Sequence, residues 1–224
     1  MAPATQTAFS EGEIFRLVRT GAAQSRADLA RLTGLSPSTV ALRIEALIAH
    51  DYIEENGEGV SRGGRRPRVL TVKAGGSVVV GVDLGEQHAT VALFDRRAEV
   101  VASTVARVSL LDGVESVVNQ VWEHARGLAE EHGGLTIEGI AMSLPGPVDS
   151  RTSRLLAPMR MPGWNGVDVG EVLGKTTGLP FLIDNDANAM AVGEFIERGG
   201  EEEQLVFVKA GSGIGCGIIL DGAV

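Results

Sequence analysis

The sequence predicts an α/β chain in two parts, a small three-helix head closed by a β-hairpin and a larger body of alternating strands and helices. Three observations lead there. Apolar residues recur at helical spacing in the N-terminal segment, and short β-branched runs broken by glycines take over from Gly75. Charge divides at the same place. Residues 1–73 balance to +2 and residues 74–224 to −11, within a net charge of −9. The expected domains are therefore 1–74 and 75–224, meeting in the segment Lys73–Ser77.

The head reads as three helices. The first runs over Glu13–Arg19, with Ile14, Leu17 and Val18 at helical spacing. Ser25-Arg-Ala-Asp28 is a capping-box pattern opening the second, and Gly34 supplies the left-handed residue that stops it. Ser36-Pro37 opens the third, a capping hydroxyl followed by proline at the first helical position. Val40, Ile44, Leu47 and Ile48 form its buried stripe. A polar hairpin around Asn56-Gly57 and Gly63-Gly64 then leads into a strand over Arg68–Val72.

Helices two and three have the makings of a helix-turn-helix. Such a pair needs a small residue, a turn glycine and a branched apolar residue where the helices cross, and Ala30, Gly34 and Val40 stand at those places. Ser36, Pro37, Ser38, Thr39, Leu42 and Arg43 would then face a DNA major groove, with hydroxyls and a guanidinium as base or phosphate donors. Arg62, Arg65, Arg66 and Arg68 crowd the hairpin, where glycines allow close backbone approach; this is the composition of a DNA-binding wing. The alternatives are a dimerisation unit for the helices and a solvated turn for the arginines.

Bulk properties exclude other classes. A chain of 224 residues with 44% hydrophobic and 22% charged residues is of ordinary globular composition. No apolar run reaches the roughly 18 residues of a membrane span. The first residues lack both the basic and the apolar region of a signal peptide, so a cytoplasmic location is expected. One cysteine, Cys216, permits neither an internal disulfide nor a multi-cysteine zinc site.

In the body, strands are expected at Val78–Val82, Ala89–Phe94, Val100–Val108, Ile137–Ser143, Phe181–Ile183, Leu205–Val208 and Gly217–Leu220. An amphipathic helix carries Val117, Val118, Val121, Trp122, Ala125 and Leu128 on one side. Further helices fall at Val169–Thr176 and Ala187–Glu197, and an irregular Pro/Gly stretch runs from Pro145 to Gly166.

Five motifs follow in order: Gly81-Val-Asp-Leu-Gly85, Leu144-Pro-Gly-Pro-Val-Asp149, Met161-Pro-Gly-Trp-Asn-Gly166, Asp184-Asn-Asp-Ala-Asn188 with Gly193-Glu194, and Ala210-Gly-Ser-Gly-Ile-Gly215. The series resembles the ROK family, which groups bacterial repressors with sugar kinases on an actin/hexokinase-like (ribonuclease-H-like) fold. The winged head resembles its repressor branch. The resemblance implies a body holding the first lobe of that fold and the start of the second. The family's cysteine-rich zinc motif is absent from the chain.

The residues set limits on what the resemblance carries over. Asp83 and Gly85 stand at a strand-end turn where backbone N–H groups can face phosphate, although an aspartate there also caps a turn. The kinases continue with a second glycine and a hydroxyl residue; here Glu86 and Gln87 follow, and a carboxylate beside phosphates is adverse. Gly211, Ser212 and Gly213 resemble a second phosphate loop, or form a plain β-turn. By resemblance, Asn185, Gly146 and Asn165 line a sugar pocket and Asp186 is the base that takes a proton from a sugar hydroxyl. Read without the family, Asp186 is a helix N-cap. Trp164 either offers the pocket an apolar face or packs in the core.

Three functions compete: a sugar-responsive DNA-binding repressor, an ATP-dependent sugar kinase, and a protein-interaction module. The repressor is expected to take a double-stranded DNA operator and a small sugar or sugar-phosphate effector, and to form homo-oligomers. It needs no cofactor and no membrane. ATP and magnesium enter only for the kinase, with Asp186 catalytic.

Overall fold

The computed structural model describes residues 9–56, 68–149, 151–156, 161–200, 204–211 and 213–224. The chain divides into two compact units. One is Met1–Gly76 with the turn Asp95–Glu99, and the other is Ser77–Phe94 with Val100–Val224.

The first unit is built on α1 (Glu11–Arg19), α2 (Arg26–Thr33) and α3 (Pro37–Ala49), followed by β1 (Ile53–Asn56) and β2 (Val69–Val72). Each helix starts on a serine. Ser10 and Glu13 form a reciprocal capping box on α1, Ser25 accepts from Asp28 N–H on α2, and Ser36 accepts from Thr39 N–H on α3. Asp28 reaches back as expected, but to Gln24 N–H and the Ser25 hydroxyl. Gly34 ends α2 at φ 68°, the left-handed conformation that glycine adopts without strain. Ile14, Val18, Leu29, Val40, Ile44, Leu47, Ile53 and Leu70 close the core. β1 pairs antiparallel with β2 from Ile53 opposite Val72 to Asn56 opposite Val69.

The second unit is laid on a five-stranded sheet. Its strands are β3 (Ser77–Leu84), β4 (His88–Phe94), β5 (Val100–Arg107), β6 (Thr136–Leu144) and β9 (Phe181–Asn185), in the order β5-β4-β3-β6-β9. β3, β4 and β5 form an antiparallel meander, while β6 and β9 run parallel to β3. Parallel neighbours need crossover connections. These are α4 (Val114–Glu131) and α5 (Val169–Thr177). Val117, Val118, Val121 and Ala125 of α4 are wholly buried in one core with Val80, Val91 and Leu93 of the sheet.

Within the stretch expected to be irregular, β7 (Val148–Asp149) and β8 (Arg154–Leu155) form a short hairpin. Trp164 is fully buried, and its Nε1 donates to the Leu110 carbonyl at 2.8 Å. It is therefore a core residue with its polar atom satisfied, not a face offered to a ligand. Beyond β9, α6 (Asp186–Glu197) packs on the antiparallel pair β10 (Gln204–Ala210) and β11 (Ile214–Leu220). Among the described residues no helix is long and apolar enough to cross a membrane.

Candidate effector site and DNA-reading surface

The carboxyl ends of β3, β6 and β9 lie side by side, the end of a parallel sheet where ligands commonly bind. The strand register sets Asp83 beside Ser143 and Ser143 beside Asp184, a polar row across three strands. Ser143 Oγ donates to Asp83 Oδ1 at 2.7 Å. Asp184 Oδ1 accepts from Asn188 Nδ2 at 3.0 Å, one turn into α6. Asp83 thus stands inside β3 and is held by the neighbouring strand; it does not cap the following turn. Gly85 makes that turn, its N–H donating to the His88 carbonyl at 2.8 Å.

The N-cap of α6 is Asn185, so the expectation for Asp186 shifts by one residue. Asn185 Oδ1 accepts from Ala187 N–H and Asn188 N–H, and its Nδ2 donates to the Gly146 carbonyl at 2.8 Å. One side chain thereby starts the helix and ties it to the loop after β6. Gly146, at φ 110°, adopts a conformation that L side chains rarely reach.

Asp186 is the first helical residue and is 8% exposed. Its Oδ1 accepts from Ala187 N–H, and its Oδ2 meets Lys209 Nζ of β10 at 2.6 Å. Lys209 is an isolated charge among Val206, Phe207, Val208 and Ala210. Glycine brings these elements together: a Cβ on Gly217 of β11 would stand 2.3 Å from the Ala187 carbonyl, so only hydrogen allows α6 to lie this close.

The other expected site residues fall as follows. Asn165 is exposed in the turn after Trp164. Gly211 and Gly213 close the β10–β11 turn, Gly211 N–H donating to the Gly213 carbonyl at 2.9 Å, and Ser212 lies outside the described residues. A cavity of about 590 Å³, lined by Arg151, Arg154, Asp168, Glu171 and Phe181 among others, contains none of the expected site residues. Lys209 and Ser143 were not singled out from sequence, and Asp184 and Asn188 were marked only as the ends of a motif. A lone lysine in an apolar strand and a serine closing one were the available signals.

On the first unit, Ser36, Pro37 and Ser38 are exposed at the start of α3, with Thr39 half-buried. The Ser36 hydroxyl stands 2.8 Å from those of Ser38 and Thr39. Arg43 follows one turn beyond Thr39. It is half-buried, its Nε is enclosed and unpaired among the described residues, and its charge acts on the Glu13 carboxyl of α1. Arg62, Arg65 and Arg66 lie outside the described residues, while Arg68 is exposed at the start of β2. Glu55 of β1 receives Arg26 Nε and Nη2 at 3.0 and 3.1 Å. That paired contact, with a smaller contribution from the charge of Arg68, holds the Glu55 carboxyl below the usual carboxylate range.

Comparison with known proteins agrees with this geometry. Residues 12–54 match the winged helix-turn-helix DNA-binding family, and residues 79–224 match the ROK family. The xylose repressor of Caldicellulosiruptor bescii is 29% identical over 209 residues, covering 88% of this chain and 50% of that protein. The crystal structure of a ROK family transcriptional regulator, a homologue of the E. coli MLC protein, superposes with TM-score 0.78 at 28% identity, over 96% of this chain and 55% of that one. The ROK hexokinase of Thermus thermophilus superposes with TM-score 0.55 at 31% identity, over 66% of this chain and 48% of that one. The chain spans about half the length of the curated relatives it matches. With a winged helix-turn-helix ahead of an α/β domain matched from residue 79 to residue 224, the chain belongs to the ROK family.

Proposed function

We propose that this protein is a sugar-responsive transcriptional repressor. The observation that carries the reading is the presence, in one chain, of a winged helix-turn-helix and a ROK domain. The first part supplies DNA recognition and the second an effector site at the ends of β3, β6 and β9. Xylose repressors among the relatives point to a carbohydrate effector. In this reading Asn185, Asp186 and Gly146 meet its hydroxyls, supported by their position at the end of β9 and in the loop after β6.

A sugar-kinase reading finds support in the retained Asp186 and in the likeness to a ROK hexokinase. Its base, however, would have to act from a carboxylate already bonded to an ammonium group at 2.6 Å. A general base needs a free lone pair aimed at the proton it removes. The Asp186–Lys209 contact takes one lone pair of the carboxylate and leaves others, so the preference for the repressor reading rests on the winged helix-turn-helix and not on this carboxylate.

The test is a DNA-binding titration across a salt series, with and without a panel of pentoses, hexoses and their phosphates. Expected are a steep salt dependence and a sugar-specific change in affinity. Absence of DNA binding at low salt would overturn the repressor reading. Binding that no sugar alters would overturn the sensor half of it.

A further inference from the structure

The outward stripe of α3 carries a residue that neither the core nor solvent explains. Ser38, Leu42, Glu45 and Ala49 are exposed along it, spaced four, three and four residues apart on one helical face. Leu42 is 69% exposed, while Val40, Ile44 and Leu47 on the opposite side are buried. Surface positions of a helix are usually polar, because an apolar side chain left in water forgoes the gain of burial. Leu42 also lies one turn beyond the hydroxyl cluster of Ser36, Ser38 and Thr39. The arginine next to it, Arg43, is half-buried, with its Nε enclosed.

In a major groove the one apolar feature of a base edge is the C5-methyl of thymine. We propose that Leu42 is a specificity-determining residue that reads a thymine methyl, so that α3 recognises its site in part by an apolar contact beside hydroxyl donors. The inference rests on the DNA-binding reading above. It adds to it a base, an atom and a residue.

The experiment selects duplexes from a random-sequence DNA library with the whole chain, then replaces each thymine of the selected site by deoxyuridine. That change removes the methyl and nothing else. At one position per bound site, loss of the methyl should weaken binding about three- to fivefold, the worth of one buried methyl group. Leu42→Ala should weaken binding to the thymine duplex by a similar factor and be indifferent to deoxyuridine. Alanine at an exposed helical position keeps the fold, which the thermal unfolding of the variant checks.

Equal sensitivity of the wild type and Leu42→Ala to deoxyuridine overturns the assignment, as does insensitivity at every thymine. Self-association of the wild type that Leu42→Ala abolishes, with deoxyuridine without effect, assigns the leucine to a second copy of the chain and also overturns it. Failure to select any sequence overturns the DNA-binding reading itself, a result distinct from selective binding that ignores the methyl.

Discussion

At the scale of single residues, neighbouring side chains at the start of α6 divide two duties. Asn185 caps the helix and holds the Gly146 loop, whereas Asp186 takes Ala187 N–H on one oxygen and Lys209 on the other. Asn185→Ala should therefore cost stability, about 0.5–2 kcal/mol for a lost cap, read as a lower midpoint of thermal unfolding. Asp186→Asn keeps size and leaves the cap intact. Its unfolding midpoint should move little, while sugar affinity measured by calorimetry falls by about 1.5–3 kcal/mol with the charged acceptor. A large drop in midpoint with affinity intact would make Asp186 structural. In the first unit, Glu55 couples fold stability to pH. Its carboxyl titrates lower folded than unfolded, so the Arg26 contact stabilises at neutral pH and that contribution fades as pH falls through the acid range. The effect should be under about 1 kcal/mol for a pair this close to solvent. Unfolding midpoints between about pH 3 and pH 7 should show it, and Glu55→Gln should lack it.

Elements differ in how far the chain announces them. Serine caps, Gly34 and Pro37 are local signals, and they set α2 and α3 within a residue or two of expectation. The strands β3, β4 and β6 carry enough alternation or apolar length to be read directly. β1 does not: Ile53-Glu-Glu-Asn56 has one buried residue, and only pairing with β2 makes it a strand. The hairpin β7–β8 is two residues a side and likewise exists through its partner. The approach of α6 to β10 and β11 was equally hidden, because Gly217 reads only as the opening residue of a strand until the helix above it is seen. Gly217→Ala would drive a methyl into the Ala187 carbonyl and to 2.6 Å from Ala191 Cβ. Overpacking of this kind costs about 1–3 kcal/mol. The variant should lower thermal stability and also weaken sugar affinity, since lifting α6 separates Asp186 from Lys209. Unchanged affinity in a folded variant would show that the glycine serves packing alone.

For the whole molecule, the five motifs make the family legible, but the site was legible only in part. Asn185 and Gly146 could each be marked from sequence, while the charge that answers Asp186 comes from Lys209, on a strand beyond the end of α6. No local pattern predicts such a pairing; it follows from the packing of α6 on the glycine-bearing strand β11. Phosphoryl transfer requires a free base at the sugar hydroxyl and donors for the incoming phosphates, acting together. Here the base is engaged by an ammonium group, and Glu86 and Gln87 follow Gly85 where the kinases of the family carry a glycine and a hydroxyl residue. With ATP, magnesium and the sugars that alter DNA binding, a coupled phosphorylation assay should give background turnover for the wild type and for Asp186→Asn alike. Turnover that exceeds background and disappears in Asp186→Asn would show that the carboxylate acts as a base with Lys209 beside it, and the kinase reading would then hold.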